Sequence, residues 1–290
     1  MSGAESFAHG QDGTRLYVRS RVGPSPTTAL LCDGICCDGY IYKYLWNDLS
    51  EIVSVAHWNY RGHGRSASPV DTRCISVVDH ARDLDAVRQH LGDPPAVLVG
   101  HSFGTQVVLE AYRLRPQGIR ALVLLCGSFG RVTYTFKGSN ALAGVLPDLI
   151  KFVEQHPRLA RGIWSRIPPR WALEVARMTG DIRLDSVRPE DVKPYFEHAT
   201  HVDFEMFLRM LREAGEHSAE DLLPSIDIPV LVLAGERDSF TPHLLSETTA
   251  RAIPHAEYQL LTGGTHVLPL EEHATVKTAI AAFLKRVNVE

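Results

Sequence analysis

The chain has 290 residues, of which 44% are hydrophobic and 22% charged, and its formal net charge is −4. These values are typical of a globular protein with enough apolar residues for a sizeable core. The weak negative charge and the lack of a basic run argue against nucleic acid or an anionic membrane surface as a partner.

The N-terminal sequence MSGAESFAHGQDG has neither the basic start nor the apolar core of a secretory signal. No apolar run approaches the roughly 20 residues that a membrane-spanning helix needs. The number of cysteines is odd and two are adjacent, which indicates buried reduced thiols rather than a disulfide framework; they are Cys32, Cys36, Cys37, Cys74 and Cys126. We therefore expect a cytoplasmic protein without a membrane span.

Short β-rich runs alternate with amphipathic ones through the first half of the chain. The Asp12-Gly13 turn between residues 7–9 and 14–20 predicts a hairpin. Strands are then predicted at 29–32, 52–58, 96–99 and 121–125, and helices at 41–49, 77–91 and 105–114. Continuously apolar strands separated by helices indicate a parallel sheet covered on both faces.

The strand rhythm stops between residues 129 and 223 and returns with strands at 229–234 and 257–261 and helices at 242–253 and 268–287. The interrupting block has the pattern of several helices, which is typical of a lid over an active site. We therefore expect an α/β core of residues 1–128 and 224–290 with a helical lid of residues 129–223.

Aromatic side chains are frequent in this block, and most are predicted to form its own core. A few of them, with Met206 and Met210, are candidates for the wall of an apolar acyl or ring pocket. The aromatic residues are Phe129, Tyr134, Phe136, Phe152, Trp164, Trp171, Phe196, Phe204 and Phe207.

The segment Gly100-His101-Ser102-Phe103-Gly104 follows a predicted strand and precedes an apolar helix. A serine in a tight strand-to-helix turn presents its hydroxyl above the sheet edge, where the helix N-terminus stabilises developing negative charge. A serine that only caps the helix is the alternative. The strand and helix on either side favour Ser102 as a nucleophile.

Two later segments support that interpretation. Asp238 follows the predicted strand at 229–234 in a loop, and His266 follows the strand at 257–261. Loops after parallel strands meet at the carboxyl edge of the sheet, where open α/β folds have their sites. A surface Asp in a turn or an exposed loop His is common, but together the three residues have the chain order Ser, Asp, His of a hydrolase triad.

With these segments and with NYRGHGRS at residues 59–66, the chain resembles the α/β-hydrolase superfamily over nearly its full length. The resemblance implies an α/β fold with a mostly parallel eight-stranded sheet, helices on both faces and a helical lid after the sixth strand. It also implies a catalytic triad of Ser102, Asp238 and His266.

For the oxyanion hole, the resemblance implies the backbone N–H of Phe103 as one donor and the N–H of Ile35 as the second. The family usually has His-Gly where this chain has Asp33-Gly34. An ionised Asp33 facing the hole would oppose the oxyanion. We therefore expect Asp33 to point away, held by backbone N–H groups or by Arg61.

No cofactor and no metal are expected. Residues 62–67 fit the dinucleotide pattern G-x-G-x-x-A, but Pro69 and a polar run follow where that fingerprint needs a helix. The 14 histidines include no ligand-like spacing, and we expect His63 and His101 to serve local loop packing. Cys36-Cys37 lacks a C-x-x-C arrangement and indicates a packed loop.

The leading functional hypothesis is hydrolysis of a small or medium, largely apolar carboxylic ester through an acyl-enzyme on Ser102. Superfamily members with this triad also cleave carbon–carbon bonds, lactones, amides or thioesters, transfer acyl groups, or make peracids without a cofactor, and fold alone does not separate these reactions. Haloalkane or epoxide opening is disfavoured, because such enzymes have Asp in the place of Ser102. A ligand receptor that kept the fold without catalysis is the alternative from another class. The sequence leaves the oligomeric state open.

Overall fold

The computed structural model describes residues 3–164, 166, 182–183 and 186–289. Its sheet begins with the hairpin predicted at Asp12-Gly13, in which Gly13 adopts the left-handed φ of +82° that glycine tolerates best. The strands are β1 (Ala4–His9), β2 (Arg15–Arg21), β3 (Thr28–Cys32), β4 (Ser54–Trp58), β5 (Ala96–His101), β6 (Ile119–Leu125), β7 (Val230–Gly235) and β8 (Glu257–Leu261).

The eight strands lie in the order β1-β2-β4-β3-β5-β6-β7-β8. The pairs β1–β2 and β2–β4 are antiparallel, and every pair from β4 to β8 is parallel. Strands β3, β5 and β7 are buried at every position, which explains their continuously apolar sequences. The predicted eight-stranded, mostly parallel sheet is confirmed.

Helices cover both faces of this sheet. The α-helices of the described residues are α1 (Leu45–Ser50), α2 (Val77–His90), α3 (Phe103–Leu114), α4 (Ala141–Gln155), α5 (Pro157–Trp164), α6 (Pro189–Ala199), α7 (Phe204–Glu216), α8 (His243–Ala252), α9 (Leu268–Glu271) and α10 (His273–Arg286). One core layer packs α2, α3 and α8 on the sheet, and the other packs α1 and α10 on the opposite face. Successive residues of β3 alternate between the layers, as Leu30 and Leu31 do.

Two predicted helices are interrupted. The helix expected at 41–49 is a 3₁₀ turn, Tyr40–Tyr42, followed by α1, and the last helix divides into α9 and α10 at Glu272, whose φ is −120°. In α9, Glu271 is buried and accepts the N–H and hydroxyl of Thr265 at 2.7 and 2.8 Å. This contact holds the turn after β8 against α9, a tertiary constraint that helical periodicity does not encode.

The described residues between β6 and β7 form helices α4 to α7 and no strand apart from one isolated bridge between Gly130 and Ser218. Helix α6 is joined to the core through Asp191, which meets the Lys43 ammonium and accepts the Tyr44 hydroxyl at 2.6 Å. Trp171 lies outside the described residues. Within the ranges that the structure describes, no helix is both long and apolar enough to cross a membrane.

Arg61, which follows β4, is almost fully buried and fixes the loop of residues 59–66. Its guanidinium binds Asp83 of α2 through two bonds of 2.7 and 2.6 Å and reaches Asp12 at 3.1 Å and the Cys74 carbonyl at 2.8 Å. Burial raises the pKa of the fully buried Asp83 carboxyl above its ordinary value, and the guanidinium opposes that shift. Asp83 therefore needs Arg61 to remain charged in the core.

We predict that Arg61→Met lowers the free energy of unfolding by about 3–5 kcal/mol, because it leaves a buried carboxylate without a partner. The double variant Arg61→Met/Asp83→Leu should recover much of that loss in urea unfolding. The control is Arg73→Met, since Arg73 pairs with Asp71 at an exposed site, and its stability should change little. Equal losses in Arg61→Met and Arg73→Met would contradict this account of the loop.

Candidate active site

Ser102 lies in the turn between β5 and α3 with φ 55° and ψ −119°, a strained conformation for a residue with a side chain. The turn is possible because glycines lie two residues before and two residues after Ser102. A Cβ on Gly104 would lie 2.1 Å from the carbonyl oxygen of Cys32, and one on Gly100 would lie 2.4 Å from the carbonyl oxygen of Gly104. The close approach of α3 to β3 leaves the Ser102 side chain partly accessible above the sheet edge.

The three residues predicted as a triad lie together. The Ser102 Oγ atom is 2.9 Å from Nε2 of His266, and Nδ1 of the same ring is 2.9 Å and 3.1 Å from the two carboxylate oxygens of Asp238. Hydrogen bonding to a carboxylate requires the proton on Nδ1, which leaves Nε2 as the acceptor of the serine proton. The arrangement can therefore withdraw a proton from Ser102.

Asp238 is fixed by the turn that follows β7. Its Oδ1 atom accepts the N–H groups of Phe240 and Thr241, both at 2.9 Å, and its side chain is 1% exposed. The Thr241 hydroxyl lies 2.9 Å from the other carboxylate oxygen and 2.7 Å from the Cys126 carbonyl. These contacts orient the carboxylate toward His266 before any substrate binds.

The ring of His266 is also held on its face. The Phe240 ring stacks on it, with 5.1 Å between centroids and 26° between planes. His101 donates from Nε2 to the His266 carbonyl at 2.9 Å, and burial lowers the pKa of His101 to about 3, so its ring is neutral. Phe240 was not among the sequence candidates, although it lies two residues after Asp238.

Of the two predicted oxyanion donors, Phe103 directly follows Ser102 and Ile35 lines the same cavity as Ser102. Phe103 is the first residue of α3, so its N–H has no acceptor within the helix. The N–H of Ile35 donates to no acceptor among the described residues, and a Cβ on the preceding Gly34 would be 3.3 Å from the Ser102 Cβ. The loop of residues 33–35 thus closely approaches the serine. The N–H groups of Phe103 and Ile35 remain predicted donors.

The prediction that backbone N–H groups or Arg61 hold the Asp33 side chain is wrong. Arg61 is engaged with Asp83, and no backbone N–H in the described ranges donates to the Asp33 carboxylate. Oδ2 of Asp33 instead lies 2.7 Å from Nε2 of His57, and each side chain is 1% exposed. His57 is on β4, opposite Leu31 of β3, so the strand register brings it beside Asp33, the residue that follows β3.

Other candidates have local roles. His63 donates from Nδ1 to the Arg61 carbonyl at 3.0 Å and accepts the Cys36 N–H at 3.2 Å, and burial lowers the pKa of His63 to about 4. Cys36 and Cys37 are buried free thiols. In the part of the chain that the structure describes, no cluster of His, Cys, Asp and Glu is suited to a metal ion. After the glycines of 62–67, the next helix begins only at Val77.

A mostly apolar cavity of about 290 Å³ opens onto Ser102 and His266. Of the aromatic residues predicted in the inserted block, Phe136, Phe196 and Phe207 line it, whereas Met206 and Met210 do not. The remaining lining residues are Gly34, Ile35, Cys37, Tyr40, His101, Leu142, Ile182, Val192, Tyr195, Leu211, Phe240 and Val267. Tyr40 and Tyr195 face each other at 5.3 Å and had no signal in the sequence pattern.

Comparison with known proteins gives consistent matches. The family model of the alpha/beta hydrolase fold matches residues 30–273. The lipase LipV of Mycobacterium tuberculosis is 32% identical over 152 residues, which cover 51% of this chain and 56% of LipV. The polyketide synthase ThaQ of Burkholderia thailandensis is 26% identical over 285 residues, which are 91% of this chain and 12% of ThaQ. The chain therefore spans only part of the length of these curated relatives.

Among solved structures, an esterase from Exiguobacterium antarcticum has a TM-score of 0.78 at 18% identity. The match covers 97% of this chain and 100% of the esterase chain. At that identity the likeness shows the fold alone.

Proposed function

The chain belongs to the α/β-hydrolase fold family, and from that premise we propose that it is a serine hydrolase that cleaves a small or medium, largely apolar carboxylic ester. The observation that carries the proposal is the unbroken chain of contacts from Asp238 through His266 to Ser102 Oγ at 2.9 Å on each side of the imidazole. A serine hydroxyl needs such an adjacent base to be nucleophilic at neutral pH.

In the proposed mechanism, Ser102 attacks the ester carbonyl while His266 Nε2 takes the hydroxyl proton. Asp238 holds the Nδ1–H tautomer and stabilises the imidazolium that forms. His266 then returns the proton to the leaving alcohol, and an acyl-enzyme remains on Ser102. A water molecule, deprotonated by the same nitrogen, releases the acid and restores the serine.

We propose the N–H groups of Phe103 and Ile35 as donors to the oxyanion of each tetrahedral intermediate. The Phe103 N–H is at the positive end of α3, and the Ile35 N–H is on the loop that approaches Ser102 from β3. Donors fixed in a site without bulk water stabilise developing charge more than solvent does. Two such backbone groups require no side-chain rearrangement during the reaction.

The character of the cavity supports the substrate class. Its walls are aromatic and aliphatic, and no Lys, Arg, Asp or Glu lines it among the described residues. A neutral apolar acyl or alcohol group is therefore favoured over a charged one, because a charge would lose hydration without gaining a partner. We also propose that residues 129–223 act as the lid, since Leu142, Val192 and Phe207 of the block line the same cavity as Ser102.

Ser102→Ala should lower kcat for p-nitrophenyl butyrate by a factor on the order of 10⁴–10⁶ with little change in thermal midpoint, because members of a triad act as a unit. Wild type should release a burst of p-nitrophenol equal to the enzyme concentration before steady turnover. Ser225→Ala, which removes a hydroxyl bonded to the Leu222 carbonyl, is the control. Turnover like that of wild type by folded Ser102→Ala would end the proposal, and a folded wild type that releases no p-nitrophenol would favour a receptor.

A matched pair of variants tests the role of the inserted block. Phe204 and Phe207 lie on α7 and both stack on Trp164, at 4.4 and 5.5 Å, but only Phe207 lines the cavity. Phe207→Ala should raise the ratio of kcat/KM for hexanoate over acetate esters by about ten-fold, since one methylene in an apolar pocket is worth about 10–200-fold. Phe204→Ala should leave the ratio unchanged. An equal change of this kcat/KM ratio in both variants would mean that it does not arise from contact between the cavity wall and the acyl chain, and would contradict the proposed role of the block.

A further inference from the structure

Asp33 and His57 form a second buried acid–histidine pair directly behind the oxyanion loop. Asp33 immediately precedes Gly34 and Ile35, and its Oδ2 atom is 2.7 Å from Nε2 of His57. The Asp33 carbonyl also accepts the Tyr60 hydroxyl at 2.7 Å. Both the side chain and the carbonyl of Asp33 are therefore held, and with them the backbone that leads to the predicted Ile35 donor.

The charge on Asp33 has one partner. Neither Oδ1 of Asp33 nor Nδ1 of His57 has a hydrogen-bond partner in the described structure, and Asp33 forms no ion pair with a lysine or arginine there. The titratable groups that face the pair are Cys32, Cys37, Asp38, Tyr40, Tyr42, Tyr60 and His198.

None of these neighbours replaces His57. Burial raises the pKa of the thiols and phenols in this set above their ordinary values, so they are neutral. Burial also raises the pKa of the partly exposed Asp38 and lowers that of His198, which lies 4.0 Å from Asp38. An uncompensated carboxylate at Asp33 would be costly in this interior. Among the described residues, His57 is therefore the group positioned to balance a charge on the Asp33 carboxylate.

We propose that His57 and Asp33 are positioning residues for the oxyanion hole. His57 cancels the charge of Asp33 and ties its carboxylate to β4, which holds the Ile35 N–H toward the reacting carbonyl. This inference rests on the proposed function. It explains how the chain has Asp at a position next to the hole, where a bare negative charge would oppose the oxyanion.

The test is a double-mutant cycle with His57→Gln and Asp33→Asn, measured as kcat and KM for p-nitrophenyl butyrate. Glutamine can still donate a hydrogen bond but cannot become a cation, so His57→Gln leaves the Asp33 carboxylate without a balancing charge beside the hole. It should lower kcat on the order of 10²-fold, comparable to the loss of an oxyanion donor, with KM changed less than three-fold. The double variant should recover at least ten-fold of that loss, since the charge is removed.

The pH profile separates this role from a structural one. In His57→Gln, acid protonates Asp33 and removes the opposing charge, so kcat relative to wild type should rise as pH falls. In Asp33→Asn/His57→Gln that ratio should not depend on pH. The control is the pair His217–Glu110, 2.9 Å apart between α3 and the inserted block, with side chains that are 11% and 6% exposed. His217→Gln should show no pH-dependent ratio of kcat.

Additive effects in the cycle, or a ratio that stays constant with pH, would overturn the inference. If His57→Gln does not fold, Asp33→Asn and Asp33→Leu replace it. Asparagine can still form a hydrogen bond with His57, so kcat of Asp33→Asn should stay within ten-fold of wild type. In Asp33→Leu, kcat should fall about 10²-fold at similar KM. Equal kcat values in the two variants would overturn the inference. Failure of the proposed function is distinguished by Ser102→Ala, which would then retain turnover.

Discussion

The position of Ser102 depends on the close contact between helix α3 and the end of strand β3. Without a side chain, Gly104 lets the helix approach the Cys32 carbonyl to a distance that any Cβ would block. This contact holds the strand-to-helix turn sharp enough to keep Ser102 at positive φ. It also brings the serine to the loop that leaves β3, so one packing constraint places the proposed nucleophile and the predicted oxyanion donor together.

The rest of the site is arranged around this contact by parallel strands that end at one edge. Asp238 leaves β7 and His266 leaves β8, so the sheet register determines the reach from carboxylate to imidazole to serine. Few charged groups lie in the interior around the described site. His101 stays neutral because burial lowers its pKa to about 3, and the Asp33 carboxylate lies 2.7 Å from the His57 ring. The site thus combines the contacts of Asp238, His266 and Ser102 with a neutral His101 beside them.

The sequence was sufficient for the features that depend on local patterns. Continuously apolar runs predicted the buried strands, and the glycines beside Ser102 predicted the turn. Loops after strands predicted that Asp238 and His266 would lie at the same edge. These inferences succeed because strand periodicity, glycine conformation and parallel topology are local or topological constraints.

Features that depend on side-chain packing across elements were not predictable in the same way. Arg61 follows β4 and was predicted as a partner of Asp33, but its guanidinium binds the fully buried Asp83 of α2 instead. His57 becomes the partner of Asp33 through a strand register that no short motif encodes. Likewise Tyr195 reaches the cavity through the docking of α6 on the core, which includes the contact of Asp191 with Lys43.

The central claim is that Ser102 is the activated nucleophile of this site, and its most direct test is covalent. Wild-type protein is incubated with a fluorophosphonate, digested, and its peptides are examined by mass spectrometry. The account predicts one adduct per chain, located on Ser102 and suppressed by a short-chain ester present during labelling. An adduct on a different residue, or a folded protein that acquires none, would contradict it.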